Sequence, residues 1–152
     1  MIVRKKEDIF KVEADAFVCP VSLCGIHGYG LQRDFSRKFP AFGLNHKSSC
    51  LFKQAKSGKV LVYDFSNPPI YPCRYIISLP TRTKWCNLSN IEFIENGMKS
   101  LVKAVKKYSF KSIVIPALGC GSGSLPWEQV GPIIEKYAGQ MKNIDVIILE
   151  PL

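Results

Sequence analysis

The chain has 152 residues, 47% of them hydrophobic and 22% charged, with a formal net charge of +9. These values describe one globular domain over residues 1–152 with a real core, and exclude a disordered polymer. No apolar run reaches the ~20 residues of a transmembrane helix, and the positive balance attracts polyanions, nucleic acid included, or only solvates a basic surface.

Met1 to Asp8 turns charged too early for a secretory signal, so a cytoplasmic protein with no membrane partner is expected. Ile2-Val3 is a short strand, Asp8-Ile9-Phe10 follows, and Asp15 to Cys19 is a second strand entering the core. A glycine loop, Cys24 to Leu31, opens a helix over Leu31–Phe39 that Pro40 stops. Gly28-x-Gly30 resembles a dinucleotide fingerprint, but Arg33 stands where the third glycine belongs, which rejects a Rossmann oxidoreductase. A helix is expected from about Asn45 to Lys56, then strands over Lys59–Phe65 and Arg74–Leu79, the second ending at Pro80. Thr81 to Asn87 reads as a polar loop.

Ser89-x-x-Glu92 reads as a capping box opening the longest helix, with Ile91, Ile94, Met98, Leu101, Val102 and Val105 inward. Its lysines (99, 103, 106 and 107) suit a solvated face, and Glu95 and Lys99 suit an ion pair. Ile113, Val114 and Ile115 form a strand covered on both faces. A second glycine loop carries Gly119, Gly121 and Gly123, and Pro126 starts a helix whose Trp127, Val130, Ile133, Ile134 and Tyr137 point inward. Asp145 to Leu149 is the final strand. Alternating strands and helices give an α/β class: a three-layer α/β/α sandwich with a mixed, mostly parallel sheet. Six scattered cysteines and two histidines show no zinc spacing, so free thiols and no metal or other cofactor are expected.

A glycine loop feeding a helix N-terminus offers backbone N–H groups to a phosphate; a bare tight turn is the alternative. Two such loops at the carboxyl ends of one sheet's strands would grip a diphosphate from both sides. Neither loop carries G-K-[ST], so the P-loop NTPase reading fails.

Asp8-Ile9-Phe10, the Gly25–Leu31 loop, Leu79-Pro80-Thr81 with Trp85, and Pro116-x-Leu-Gly-Cys-Gly-x-Gly-x-Leu-x-Trp127 together resemble the macrodomain family, the ADP-ribose-binding fold. The resemblance runs over nearly the whole chain. It is strongest to the branch holding the DNA ADP-ribosyl glycohydrolase antitoxin DarG and the terminal ADP-ribose protein glycohydrolase. It implies that Asp8 accepts from the adenine amine, with Ile9 adding a backbone contact. Gly25, Ile26, His27, Gly28, Gly30 and Leu31 would wrap the diphosphate and distal ribose, with Ser22 and Thr81 beside them. Gly119, Cys120, Gly121, Ser122, Gly123 and Ser124 would hold the diphosphate from the opposite side.

The departures concern catalysis. That branch typically carries a lysine after the Pro-Thr pair, where this chain has Arg82, and arginine is no nucleophile or base. Lys84, Arg82 and His27 are the catalytic candidates. Two asparagines that usually precede the first loop are replaced by Cys19 and Ser22. Three functions follow. One is a monomeric module binding ADP-ribose or an ADP-ribosylated macromolecule. Another is a hydrolase removing ADP-ribose from nucleic acid or protein. The third is a sequestering protein for an ADP-ribose-derived signalling nucleotide. The missing lysine favours binding.

Overall fold

The computed structural model describes residues 1–25 and 30–152. Six strands, β1 (Ile2–Lys5), β2 (Ala16–Ser22), β3 (Leu61–Asp64), β4 (Tyr75–Arg82), β5 (Ser112–Ile115) and β6 (Asp145–Leu149), form one sheet. Its order is β1-β6-β5-β2-β4-β3. Every neighbouring pair is parallel except β3 with β4. Four helices, α1 (Leu31–Lys38), α2 (Pro40–Leu51), α3 (Ile91–Tyr108) and α4 (Trp127–Ala138), cover the two faces, and a 3-10 turn spans Ile9–Lys11.

The alternation of strand side chains builds the layers. Val18, Ile77, Leu79, Ile113, Ile115 and Ile148 pack with Ile94, Met98 and Leu101 of α3 and Ile134 of α4. Their neighbours in sequence, among them Phe17, Cys19, Ile76 and Val114, face Phe35 of α1 and Phe42 of α2. Burial on both faces is why the central strands read as continuous apolar runs. Among the described residues, no helix is long and apolar enough to cross a membrane.

Several local expectations are corrected. Pro40 opens α2 rather than leaving a loop, because a proline in a helix's first turn has no N–H to leave unsatisfied. That start draws the helix back from the expected Asn45–Lys56 to Pro40–Leu51, and Lys53 at φ 57° follows its end. β4 runs through Pro80 to Arg82: β3's pairing stops at Ser78, and opposite Pro80 the β2 register shifts between Val21 and Ser22. Proline is tolerated beside such irregularities. Thr81 and Arg82 are therefore strand residues.

At the start of α3 the cap is Asn90, whose Oδ1 accepts from Glu92 N at 2.8 Å, and not Ser89. Glu95 turns to α4 rather than to Lys99. It accepts from Tyr137 Oη at 2.5 Å and lies 3.7 Å from Lys136 Nζ. The four lysines of α3 are exposed, as expected.

Candidate functional site

The parallel strands β2, β4, β5 and β6 end on the same edge of the sheet. From β2 the chain goes on to β4 on one side, while β5 lies on the other, a switch point where α/β sheets bind ligands. A cleft of about 630 Å³ opens there. Asp8, Ile9 and Phe10 stand on one rim, Leu31 and Gln32 on another, and Thr81, Arg82 and residues 119–123 complete it.

The loop after β5 is a compact turn. Cys120 N donates to Ala117 O at 3.1 Å, Ser124 N to Gly121 O at 3.1 Å, and Leu125 N to Gly119 O at 2.9 Å. Gly119 has φ +72° and is boxed in by Ile94, Leu125 and Ser89. A Cβ at Gly123 would lie 2.0 Å from Ser89 Oγ and 2.6 Å from Gly119 O. Ser89 N donates to Gly123 O at 3.0 Å, so the start of α3 pins the turn. The Ser89 Oγ itself is buried without a partner. Gly121 differs, with nothing within 4 Å of its notional Cβ. The stereochemistry of the turn thus requires two of the three alternating glycines, and the third leaves open space. Ser124 is exposed, at φ 64°, and is not among the cleft-lining residues.

The loop after β2 meets this turn. Gly30, at φ +91°, approaches so closely that its notional Cβ would sit 3.1 Å from Ser122 Oγ. Gly25, at φ +74°, rests against Cys50 and the Lys47 backbone of α2. Ile26, His27 and Gly28 lie outside the described residues. Ser22 is buried: its N donates to Gln32 Oε1 at 2.8 Å, and its carbonyl lies 2.9 Å from His46 Nε2. Gln32 and His46 therefore hold the end of β2, roles the sequence reading missed. A polar residue one position into α1, and another on the buried side of α2, were the available signals.

Arg82, at the end of β4, reaches across the cleft. Its Nη2 donates to Ser122 Oγ at 2.8 Å and its Nη1 to Asn87 O at 3.2 Å. One guanidinium thus joins the β4 end, the turn before α3 and the second glycine loop. Thr81 is 3% exposed beside it. Lys84 is exposed and is not a lining residue. Asp8 is exposed on the rim, where its Oδ1 accepts from Phe10 N at 3.0 Å and caps the 3-10 turn. That bond fixes the carboxylate's direction, and Ile9 behind it is 4% exposed.

None of the six cysteines is disulfide-bonded, and Cys86 is exposed. Burial, then Glu128, pushes the Cys120 thiol up to about 11, which keeps the thiol in the glycine loop protonated at neutral pH. Burial raises Cys50 and Cys73 from 9.0 to about 11 as well. In each case the folded state holds a proton that the unfolded chain has released. The stability these thiols contribute is intact below pH 9.0 and is lost as pH rises towards 11. Melting temperature should fall over that window, and less steeply in Cys73→Ala; parallel curves for the two proteins would contradict it.

The Macro domain family model matches residues 19–134, from the middle of β2 through most of α4. The chain belongs to the macrodomain family. This macrodomain is 31% identical over 145 residues to a DNA ADP-ribosyl glycohydrolase of Thermus aquaticus, covering 95% of the chain and 40% of the relative. It therefore spans well under half the length of such a relative. The macrodomain of Thermus aquaticus DarG superposes with a TM-score of 0.93 at 30% identity, covering 99% of both chains. Thermosipho africanus DarTG, solved in complex with ADP-ribose, gives 0.85 at 30% identity over 94% of this chain and 40% of that one.

Proposed function

We propose that this macrodomain binds ADP-ribose, free or as the terminal group of a modified macromolecule. The observation carrying the reading is the meeting of two glycine loops, at Gly30 and Ser122, over one cleft at the strand ends. A cleft of about 630 Å³ lies within the usual range for small-molecule sites. Asp8 accepts from the adenine amine with the carboxylate that caps the 3-10 turn, and the backbone amides of residues 119–123 take the diphosphate. On the other side of the cleft, Gly30, which meets Ser122, and Leu31 face the ligand. Thr81 packs beside the distal ribose. The relatives named above support this reading, one of them solved with ADP-ribose bound.

Calorimetric titration with ADP-ribose should give a Kd of about 1 μM or below, at least about tenfold tighter than AMP. Equal affinities for the two ligands would remove the two-loop diphosphate grip.

A second reading, removal of ADP-ribose from DNA, is favoured by the relatives named DNA ADP-ribosyl glycohydrolase. Against the branch's lysine route stand Arg82 in the cleft and Lys84 in solvent. Turnover of ADP-ribosylated DNA by the wild type separates the two readings: a binding module releases no ADP-ribose, and where release is seen, Lys84→Ala tests whether Lys84 carries it. The protein would work as a monomer in a reducing compartment such as the cytoplasm, which suits its free thiols.

A further inference from the structure

A second cavity, also of about 630 Å³, lies at the opposite edge of the sheet from the cleft. Its walls come from the segment entering β2, the end of α1, the segment entering β4 and the start of β5. These are the amino ends of parallel strands whose carboxyl ends carry the cleft.

The floor of this cavity is apolar and already assembled. Val12, Phe17 and Phe39 are buried, and the half-buried ring of Phe10 joins them. Phe35 holds the rings from behind: its centroid lies 5.1 Å from that of Phe10, 5.7 Å from Phe39 and 6.4 Å from Phe17. A floor locked in this way needs no reordering when a ligand arrives, which removes one cost of binding.

The rim is cationic. Lys11, Lys38, Arg74 and Lys111 line the cavity with two acids, Glu13 and Asp15. Asp15 is already matched: its Oδ2 accepts from Lys111 N at 3.2 Å, and its Oδ1 lies 3.8 Å from Arg74 Nε. Its N donates to Ser112 Oγ at 2.8 Å, so this residue fastens the strand entrances together. The ammonium groups of Lys11, Lys38 and Lys111 form no ion pair among the described residues. Lys38 Nζ stands instead 5.3 Å from the centroid of the Phe10 ring. Three unmatched ammonium groups against Glu13 leave positive charge above an aromatic floor.

We propose that this cavity binds a small organic anion with a planar aromatic body, whose rings lie on the phenylalanine floor and whose acidic group meets the lysine rim. A neutral aromatic would leave the ammonium groups without a counter-charge, and a compact inorganic anion would leave the apolar floor in water. A nucleic-acid strand calls for cations spaced along a groove, whereas these surround one cavity of a size for a single small molecule. The site is independent of whatever ligand the strand-end cleft takes.

The test titrates naphthalene-2-carboxylate (naphthoate), with naphthylmethanol and inorganic phosphate as comparisons, against the wild type and Lys38→Gln/Lys111→Gln. Both lysines are exposed and neither lines the cleft, so the variant should melt with the wild type. Naphthoate should bind the wild type with a Kd of about 0.1 mM, at least about tenfold more tightly than either comparison. The variant should bind naphthoate about fivefold or more weakly and show no change towards naphthylmethanol. Amide shifts on adding naphthoate should fall on residues 10–15, 38–39 and 111–112.

No naphthoate binding at about 5 mM overturns the proposal, as does equal affinity for naphthylmethanol or an unchanged naphthoate affinity in the variant. Shifts confined to residues 119–123 would put the naphthoate in the strand-end cleft and overturn it too.

Discussion

Gly123→Ala should cost about 1–3 kcal/mol of stability and weaken ADP-ribose binding by at least about tenfold. A methyl group at this place would lie 2.0 Å from Ser89 Oγ and 2.6 Å from Gly119 O. Neither atom can yield cheaply. Ser89 is buried at the start of α3 and its N–H already holds Gly123 O, while Gly119 O closes the turn by accepting from Leu125 N. Relief would have to displace the turn, and with it the backbone of Gly121 and Ser122 that lines the cleft. Gly121→Ala is the internal comparison, since nothing lies within 4 Å of the added carbon. It should melt within about 0.5 kcal/mol of wild type, as substitutions without such contacts do. Thermal melts and ADP-ribose titrations on both variants check the pair. A Gly123→Ala protein that folds and binds like wild type would show that the turn is not a fixed cradle.

Arg82→Ala should lower ADP-ribose affinity by about tenfold or more, through lost positioning as well as lost charge. The guanidinium holds Ser122 Oγ and Asn87 O together, and no alanine contact replaces that bridge. Ser122 also supports the approach of Gly30, so the meeting of the two loops depends on a side chain from β4. Arg82→Lys addresses chemistry. It supplies the residue type that the family resemblance leads one to expect here, while surrendering the two-pronged geometry that only arginine offers. If residue 82 decides between binding and hydrolysis, the lysine variant should release ADP-ribose from ADP-ribosylated DNA faster than wild type. Binding without any gain in release would mean that position 82 is not the deciding difference. Attention would then move to Cys19 and Ser22, where the family resemblance leads one to expect asparagines.

Much of this protein is determined locally. The run Ile113-Val114-Ile115 has no polar alternate, so it needs cover on both faces and becomes a central parallel strand. The apolar spacing of α3 fixes which side faces the sheet, and the positive φ of Gly25, Gly30 and Gly119 suits the residue least hindered there. These features are set by neighbours a few positions away, so the class, the layers and both glycine loops are legible in the sequence. The boundaries are less so. Pro40 can stop a helix or start one, and here it does both: α1 ends at Lys38, and α2, with Phe42 buried against Phe35, begins at Pro40. Pro80 reads as a strand end, yet β3 stops short of it and β2 slips opposite it.

The site divides the same way. Its glycines could be named in advance, but not their separate reasons, because Gly123 answers to Ser89 and Gly30 to Ser122, far off in the chain. Arg82 could be recognised as a departure from its relatives' pattern. That it spans the cleft to Ser122, while Lys84 points to solvent, depends on where strands from distant segments end, and only the tertiary structure brings those ends together.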